Sequence, residues 1–264
     1  MNPTDLPGAH ELSSLAAWNQ TAEDWAMLLD LAPQTCFTIE AGGHIAATSV
    51  LIPYGVRLAW LGMVLTRPEY RGRGFARSLV ENALAVADRS GVRSVMLDAT
   101  EQGIPLYRKL GFRDRQSIER WARMSPGPIR QEPPAGNTSV QRIPLLDRQV
   151  YGVDRSELLN FLIARGGVFQ TSDGFLLSRP GRLASFLGPC IAGTEEEAGK
   201  MIGQCLNSRP APWFWDLFPA NERAIALAKR LGFESVRRLT RMVRGADVRC
   251  EPAKLWATAG FEFG

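Results

Sequence analysis

The spacing of apolar residues predicts a mixture of helices and strands in the first half of the chain. A long helix is expected over 75–90, because its apolar residues recur three and four positions apart. Another helix is expected to begin after Thr21, which is placed to form a capping box with Asp24. Continuous apolar runs bounded by turn residues predict strands, and these runs lie at 36–40, 44–52, 56–66 and 92–99.

A segment rich in proline and glycine, at residues 126–137, predicts a linker between two domains. The expected domains are therefore 1–125 and 138–264. The same patterns predict helices in the second domain at 155–165, 194–207 and 221–231. Strands are expected there at 168–171, 175–178, 183–192 and 213–218.

The two predicted domains also share a short stretch of sequence. LYRKLGF at 106–112 aligns with LAKRLGF at 227–233, and the same offset places Arg120 on Arg241. Two helix ends that close with glycine could look alike by chance, but here the neighbouring elements also follow the same order. The chain is therefore predicted to contain an internal repeat, with one copy in each domain.

Composition and charge restrict the class of protein. The 264 residues carry a formal net charge of +4 and are 45% hydrophobic, which suits a globular protein with a sizeable core. No lysine and arginine run of the kind found in nucleic-acid-binding tails is present. The 4 cysteines form no CxxC pair and only 2 histidines accompany them, so neither a zinc site nor a disulfide framework is expected. Because we find no signal peptide or membrane-spanning run, a cytoplasmic protein is expected.

A glycine-rich segment, RGRGFA at 71–76, lies between the strand at 56–66 and the helix at 75–90. The first N–H groups of a helix have no intrahelical partner, and the helix dipole adds partial positive charge there. Glycines allow that backbone to approach a ligand closely. The segment predicts a phosphate or pyrophosphate site, although spacing alone leaves open a basic, solvated turn. The second domain has no counterpart of it.

These residues resemble a known family. Arg71-x-x-Gly74-x-Ala76 resembles the [Q/R]-x-x-G-x-[G/A] loop of the GNAT N-acetyltransferase superfamily, and LYRKLGF at 106–112 resembles its second motif. Segments at 18–25 and 58–65 look more specifically like a bacterial tandem-GNAT subgroup. The resemblance implies an α/β (α+β layered) fold of two tandem GNAT-like domains, each a mixed, mostly antiparallel sheet flanked by helices. The second domain would be a divergent copy.

The resemblance also implies a site for the cosubstrate acetyl-CoA, without a metal. The strand before the loop would separate from its neighbour, so that the pantetheine arm binds like an added strand. The Val64 N–H would polarise the thioester carbonyl. Tyr107 would be the general acid, since a phenol holds its proton at neutral pH. The implied acetyl-CoA-binding residues are Val64, Leu65, Thr66, Arg71, Gly72, Arg73, Gly74, Phe75 and Ala76.

The general base is not assigned by the resemblance. Some members carry a glutamate where this chain has Trp60. Asp98 and Glu101 are substitutes, and a water chain or an amine that arrives neutral would also serve. The residues expected to bind the acceptor are Asn19, Gln20, Trp60 and Asp98.

The sequence therefore predicts an N-acetyltransferase that moves an acetyl group directly from acetyl-CoA to a primary amine of a small molecule. No cysteine lies in either motif, so no covalent intermediate is expected. Two alternatives stay open: an acyl-CoA sensor without turnover, and a transferase that acts on protein N-termini or lysines. A longer acyl donor also stays open, as does the choice between monomer and homodimer. Neither a nucleic-acid nor a membrane partner is expected.

Overall fold

The computed structural model describes residues 1–125, 140–248 and 250–264. The helices of the first half are α1 (Leu6–Leu15), α2 (Ala22–Leu31), α3 (Phe75–Arg89) and α4 (Ile104–Lys109). Its strands are β1 (Cys36–Ala41), β2 (His44–Tyr54), β3 (Leu58–Thr66), β4 (Ser94–Ala99) and β5 (Arg113–Arg123). The helices of the second half are α5 (Ile143–Tyr151), α6 (Ser156–Arg165), α7 (Glu195–Ser208) and α8 (Glu222–Arg230). Its strands are β6 (Gly167–Gln170), β7 (Phe175–Arg179), β8 (Ser185–Ile191), β9 (Trp213–Leu217), β10 (Glu234–Gly245) and β11 (Leu255–Ala257).

Most of these elements agree with the sequence pattern. The predicted capping box is confirmed, because Asp24 N–H donates to Thr21 Oγ1 at 3.2 Å and Thr21 N–H donates to Asp24 Oδ2 at 2.9 Å. The pattern missed α5 and did not reveal the length of β10. The predicted linker at 126–137 lies outside the described residues. No helix of the described ranges is long and apolar enough to cross a membrane.

All the strands belong to one sheet of mixed direction, with helices packed against it. The strand order is β1-β2-β3-β4-β10-β5-β9-β8-β7-β6, and β11 pairs with β8. The last long strand of the second half, β10, therefore lies between β4 and β5 of the first half, while β5 pairs with β9. Each half thus contributes one strand to the other. The predicted α/β class is confirmed, whereas the exchange, which joins the two expected sheets into one, was not foreseen.

Two buried ion pairs hold the exchanged strands in register. Arg241 on β10 lies opposite Asp98 on β4 and donates to its two carboxylate oxygens at 2.8 Å each. Arg120 on β5 lies opposite Asp216 on β9 and donates to its oxygens at 2.7 and 2.6 Å. A buried charge is tolerated only when it is paired and hydrogen-bonded. A slip of either strand would therefore leave a buried charge without its partner.

The two halves also share a hydrophobic core. One cluster contains Trp25 and Trp60 from the first half together with Leu159, Phe175 and Phe263 from the second, all of them buried. Burying apolar area contributes roughly 25 cal/mol per Å². Neither half can therefore separate without exposing part of this common core.

Replacing Arg241 with methionine tests the ion pair that joins β10 to β4. The Asp98 carboxylate would stay buried without its partner, so we expect a loss of about 3–5 kcal/mol in the free energy of unfolding. Urea denaturation measures this quantity. The matched control is Arg244→Met on the same strand, because Arg244 pairs with Asp88 near the surface and should contribute less than about 1 kcal/mol. Equal losses in the two variants would show that the buried pair has no special role.

Candidate active site

The glycine-rich loop has the backbone geometry of an anion site. Gly72 and Gly74 have φ angles of +76° and +80°, in the left-handed region that glycine adopts without strain. Gly74 is the N-cap of α3, and no side chain caps this helix. The N–H groups of the first turn therefore lack both an intrahelical partner and a capping side chain. They remain available to an anionic ligand.

Arginine side chains next to the loop add positive charge. Arg71 Nε donates to the carbonyl oxygen of Thr66 at 3.3 Å, and the Arg73 guanidinium lies 5.0 Å from the centre of the Tyr70 ring. Both arginines are exposed. The loop thus combines free backbone donors with guanidinium groups, a combination suited to a pyrophosphate.

Strands β3 and β4 separate just before the loop. Parallel pairing between them is restricted to Ala59 and Trp60 on β3. Met63 has a φ of +53°, and the register with β2 shifts at the same place, so β3 contains a bulge there. A bulge bends its strand and redirects the next peptide groups. The expected separation of the strands is confirmed, and Val64 is one of the two bulge residues, with Met63.

Two connected cavities occupy the opening. A groove of about 520 Å³ runs along the loop and the end of β3. A smaller pocket, of about 80 Å³, is bordered by β3, β4, β5, β10 and the segment 258–264, hereafter the tail. The residues that line both cavities are Trp18, Val64, Thr100, Tyr107 and Arg237. A reaction between a ligand in the groove and one in the pocket would take place at this junction.

Tyr107 lies on α4 at the junction of groove and pocket. Its ring packs edge-on against Phe112, with the ring centres 5.8 Å apart, and the residue is 8% exposed. Burial raises the pKa of its hydroxyl above the ordinary value of 10.0. Among the described residues the hydroxyl has no hydrogen-bond partner. Tyr107 therefore keeps a proton at neutral pH that is free to be donated.

Of the acceptor residues predicted from sequence, Gln20 and Asp98 line the pocket. Gln20 is 5% exposed, and its Oε1 is buried without a hydrogen-bond partner. Asp98 instead has both carboxylate oxygens occupied by Arg241. Glu101, the other candidate base, is exposed and does not line the pocket.

Asn19 and Trp60, in contrast, do not line the pocket. The Asn19 side chain accepts hydrogen bonds from the N–H groups of Leu183 and Ala184 at 2.8 and 3.0 Å, so it joins the first half to the β7–β8 connection. Trp60 is fully buried and donates from Nε1 to the carbonyl oxygen of Phe261 at 3.0 Å. Trp60 therefore binds the tail to β3 through this hydrogen bond.

Sequence reasoning missed the pocket residues that come from the second half and the tail. Among them are Arg237 on β10 and Glu262 in the tail. A Cβ placed on Gly62 would lie 2.9 Å from the carbonyl oxygen of Glu262, so the tail crosses β3 at this glycine. A glycine inside an apolar strand often marks the close approach of another backbone. Gly62 was thus the available signal, although it could not identify which segment approaches.

Family models match both halves of the chain. The model described as "Acetyltransferase (GNAT) family" matches residues 7–112, and the one described as "Acetyltransferase (GNAT) domain" matches residues 143–257. The uncharacterized N-acetyltransferase YitH of Bacillus subtilis is 26% identical over 226 residues, which cover 80% of this chain and 78% of that protein. The chain belongs to the GNAT superfamily of N-acetyltransferases, with one GNAT domain in each half.

Solved structures show the same fold. A candidate acetyltransferase from Pyrococcus horikoshii superposes with a TM-score of 0.89 at 19% identity, over 100% of this chain and 94% of that one. A tandem GNAT protein from the clavulanic acid biosynthesis pathway gives a TM-score of 0.64 at 15% identity, over 93% and 96% of the two chains. At these identities the likeness concerns the fold alone.

Replacing Gly62 with alanine tests the crossing of the tail over β3. The added methyl group would collide with backbone, so we expect a loss of about 1–3 kcal/mol in the free energy of unfolding. Gly199→Ala is the matched control. Gly199 lies within α7, and the atom nearest to its added Cβ would be 3.8 Å away. That change should instead stabilise by about 0.5–1 kcal/mol. If thermal or urea denaturation gave the two variants the same sign, the close approach of the tail would be refuted.

Proposed function

We propose that this chain transfers an acetyl group from acetyl-CoA to the primary amine of a small molecule. The observation that carries the proposal is the junction of groove and pocket at Val64 and Tyr107. GNAT enzymes use acetyl-CoA and act on amine acceptors. The groove is suited to the first of these substrates, and the pocket to the second.

The groove has the features that acetyl-CoA would need. Uncapped N–H groups at the start of α3, with Arg71 and Arg73 beside them, would bind the pyrophosphate. The residues proposed to bind it are the six of the loop: Arg71, Gly72, Arg73, Gly74, Phe75 and Ala76. Val64, Leu65 and Thr66 would bind the pantetheine arm, because no described strand pairs with the β4 side of β3 there.

The chemistry requires a nucleophilic amine, a polarised carbonyl and a protonated leaving group. Acetyl-CoA supplies an activated thioester. The N–H of Val64 would donate to its carbonyl oxygen. As the amine nitrogen bonds to the acetyl carbon, the carbon–sulfur bond breaks, and the Tyr107 hydroxyl would give its proton to the departing thiolate. The acylated nitrogen releases its extra proton to water, and water returns a proton to the Tyr107 oxygen, so the products are a neutral amide and the free thiol of CoA.

The size of the pocket supports a small acceptor. It encloses about 80 Å³, and β10 and the tail border it, so a folded protein surface could not approach closely. No cysteine of the described residues lines either cavity. This supports direct transfer in a ternary complex over a covalent acyl-enzyme.

Replacing Gly74 with glutamate tests the loop. A side chain and a negative charge at the start of α3 should weaken acetyl-CoA binding at least about tenfold, since charge-assisted hydrogen bonds are lost. Calorimetric titration measures the dissociation constant. Gly91→Glu is the matched control, because Gly91 follows the same helix with a φ of +69° and an equally open surrounding. Comparable binding by both variants would mean that the loop does not hold the pyrophosphate.

Replacing Tyr107 with phenylalanine tests the proton donor. We expect kcat to fall at least about a hundredfold, with the KM for acetyl-CoA unchanged. The assay follows free thiol released from acetyl-CoA in the presence of a panel of amines. Tyr151→Phe is the control, because that change also removes a buried hydroxyl without a hydrogen-bond partner, at a residue that lines neither cavity. An unchanged kcat in Tyr107→Phe would remove this role, and failure of the parent protein on every amine would contradict the proposed function.

A further inference from the structure

One guanidinium in the acceptor pocket forms no ion pair with any residue that the structure describes. Arg237 lies directly opposite Arg120 in the pairing of β10 with β5, next to a register shift in β10. Arg120 is neutralised by Asp216, but among the described residues Arg237 forms neither an ion pair nor a hydrogen bond. Like charges directly opposite each other on neighbouring strands are destabilising. Within the described ranges, the fold therefore keeps at the wall of the pocket a guanidinium that forms no ion pair of its own, although Asp216 attracts it from a distance.

The surroundings of Arg237 favour an incoming anion. The residue is half-buried, and burial together with the neighbouring Arg120 lowers the pKa of its guanidinium. The group nevertheless stays charged at neutral pH, because arginine does not deprotonate in proteins. An anionic group in the pocket would remove the repulsion between the two arginines and restore the hydrogen bonds that burial has cost.

Unpartnered acceptor atoms lie on the β3 side of the same pocket. Glu262 is 4% exposed, and its Oε1 accepts a hydrogen bond from Arg179 at 2.5 Å, whereas its Oε2 is buried without a hydrogen-bond partner among the residues that the structure describes. Gln20 Oε1 is also buried without a partner. A buried acceptor without a donor destabilises the fold. The N–H groups of an amine would satisfy both atoms.

We propose that the acceptor is a small primary amine that also carries an anionic group, either a carboxylate or a phosphate. Arg237 binds the anion, while Glu262 and Gln20 accept hydrogen bonds from the amine. This inference rests on the proposed function, because it assigns the substrate class of the same site. It also explains why the pocket has an unpaired cation on β10 and unpaired acceptors beside β3.

The anion of the acceptor is distinguished by position from the phosphates of acetyl-CoA. Arg237 lines both cavities at their junction, and in the pocket it lies with Gly62 and Asp98, which do not line the groove. The pyrophosphate, in contrast, is assigned to the loop from Arg71 to Ala76. Arg237 should therefore affect the acceptor and leave acetyl-CoA binding unchanged.

The test compares amines in matched pairs that differ only by the anionic group. One set comprises the common amino acids and their decarboxylated amines, and another comprises phosphoethanolamine with ethanolamine and glucosamine 6-phosphate with glucosamine. Calorimetric binding to the full chain and thiol release from acetyl-CoA are measured for every member. We expect the best acceptors to be anionic and to bind at least about tenfold more tightly than their neutral partners. If the best acceptors belong to the amino-acid set, the anionic group is a carboxylate. If they belong to the second set, it is a phosphate.

Variants on β10 then assign the effect to one side chain. Arg237→Gln should raise the KM for the anionic acceptor at least about tenfold and leave the KM for acetyl-CoA unchanged. Arg238→Gln is the matched control, since Arg238 is exposed and pairs with Glu119 outside the pocket. Glu262→Gln should weaken both members of a matched pair by a similar factor, because both carry the amine.

The outcomes separate this inference from the proposed function. Preference for neutral amines, or an effect of Arg237→Gln on acetyl-CoA alone, would overturn the assignment while transfer itself stands. Tight binding of anionic amines that depends on Arg237, without thiol release, would uphold the assignment and contradict acetyl transfer. Absence of both binding and turnover throughout the two sets would contradict both.

Discussion

The reciprocal pairing of buried arginine and aspartate across the two halves is the constraint on which the structure depends. Arg241 from the second half pairs with Asp98 of the first, and Arg120 from the first half pairs with Asp216 of the second. Breaking such a pair leaves a charge in a medium where it is poorly solvated. Strand β5 therefore pairs with a strand of the second half and β10 with strands of the first, and the two copies of the repeat form one sheet.

This exchange determines how the site is divided between the halves. The first half provides the glycine-rich loop, the separated strands and Tyr107, while β10 and the tail of the second half complete the pocket beside them. The second half has lost the loop and has Ala228 where the first has Tyr107. Its sequence had therefore suggested a degenerate copy. In the fold, it supplies Arg237 and Glu262 to the pocket that is proposed to bind the acceptor.

The sequence predicted those features that are encoded by neighbouring residues, and it missed those that depend on contacts between distant segments. The loop around Gly74, the capping box at Thr21 and the end of α4 are each encoded within a few adjacent residues, so their spacing revealed them. The strand exchange depends on pairings between residues about ninety or more positions apart, which periodicity cannot detect. Asn19 was expected at the acceptor together with Gln20, yet in the fold its side chain binds the β7–β8 connection. The sequence did not identify Arg237 as a pocket residue, because its proposed role depends on its position opposite Arg120 in the folded sheet.

Native-state hydrogen exchange, read by mass spectrometry on the intact chain, tests most directly whether the halves form one cooperative unit. The measured quantity is the free energy of opening of peptides from β4, β5, β9 and β10 under conditions that favour exchange from unfolded forms. The account predicts a single shared value for these strands, because each is paired with a strand of the other half. A distinctly lower value for β9 than for β4 would show that the second half opens alone, and would contradict the account.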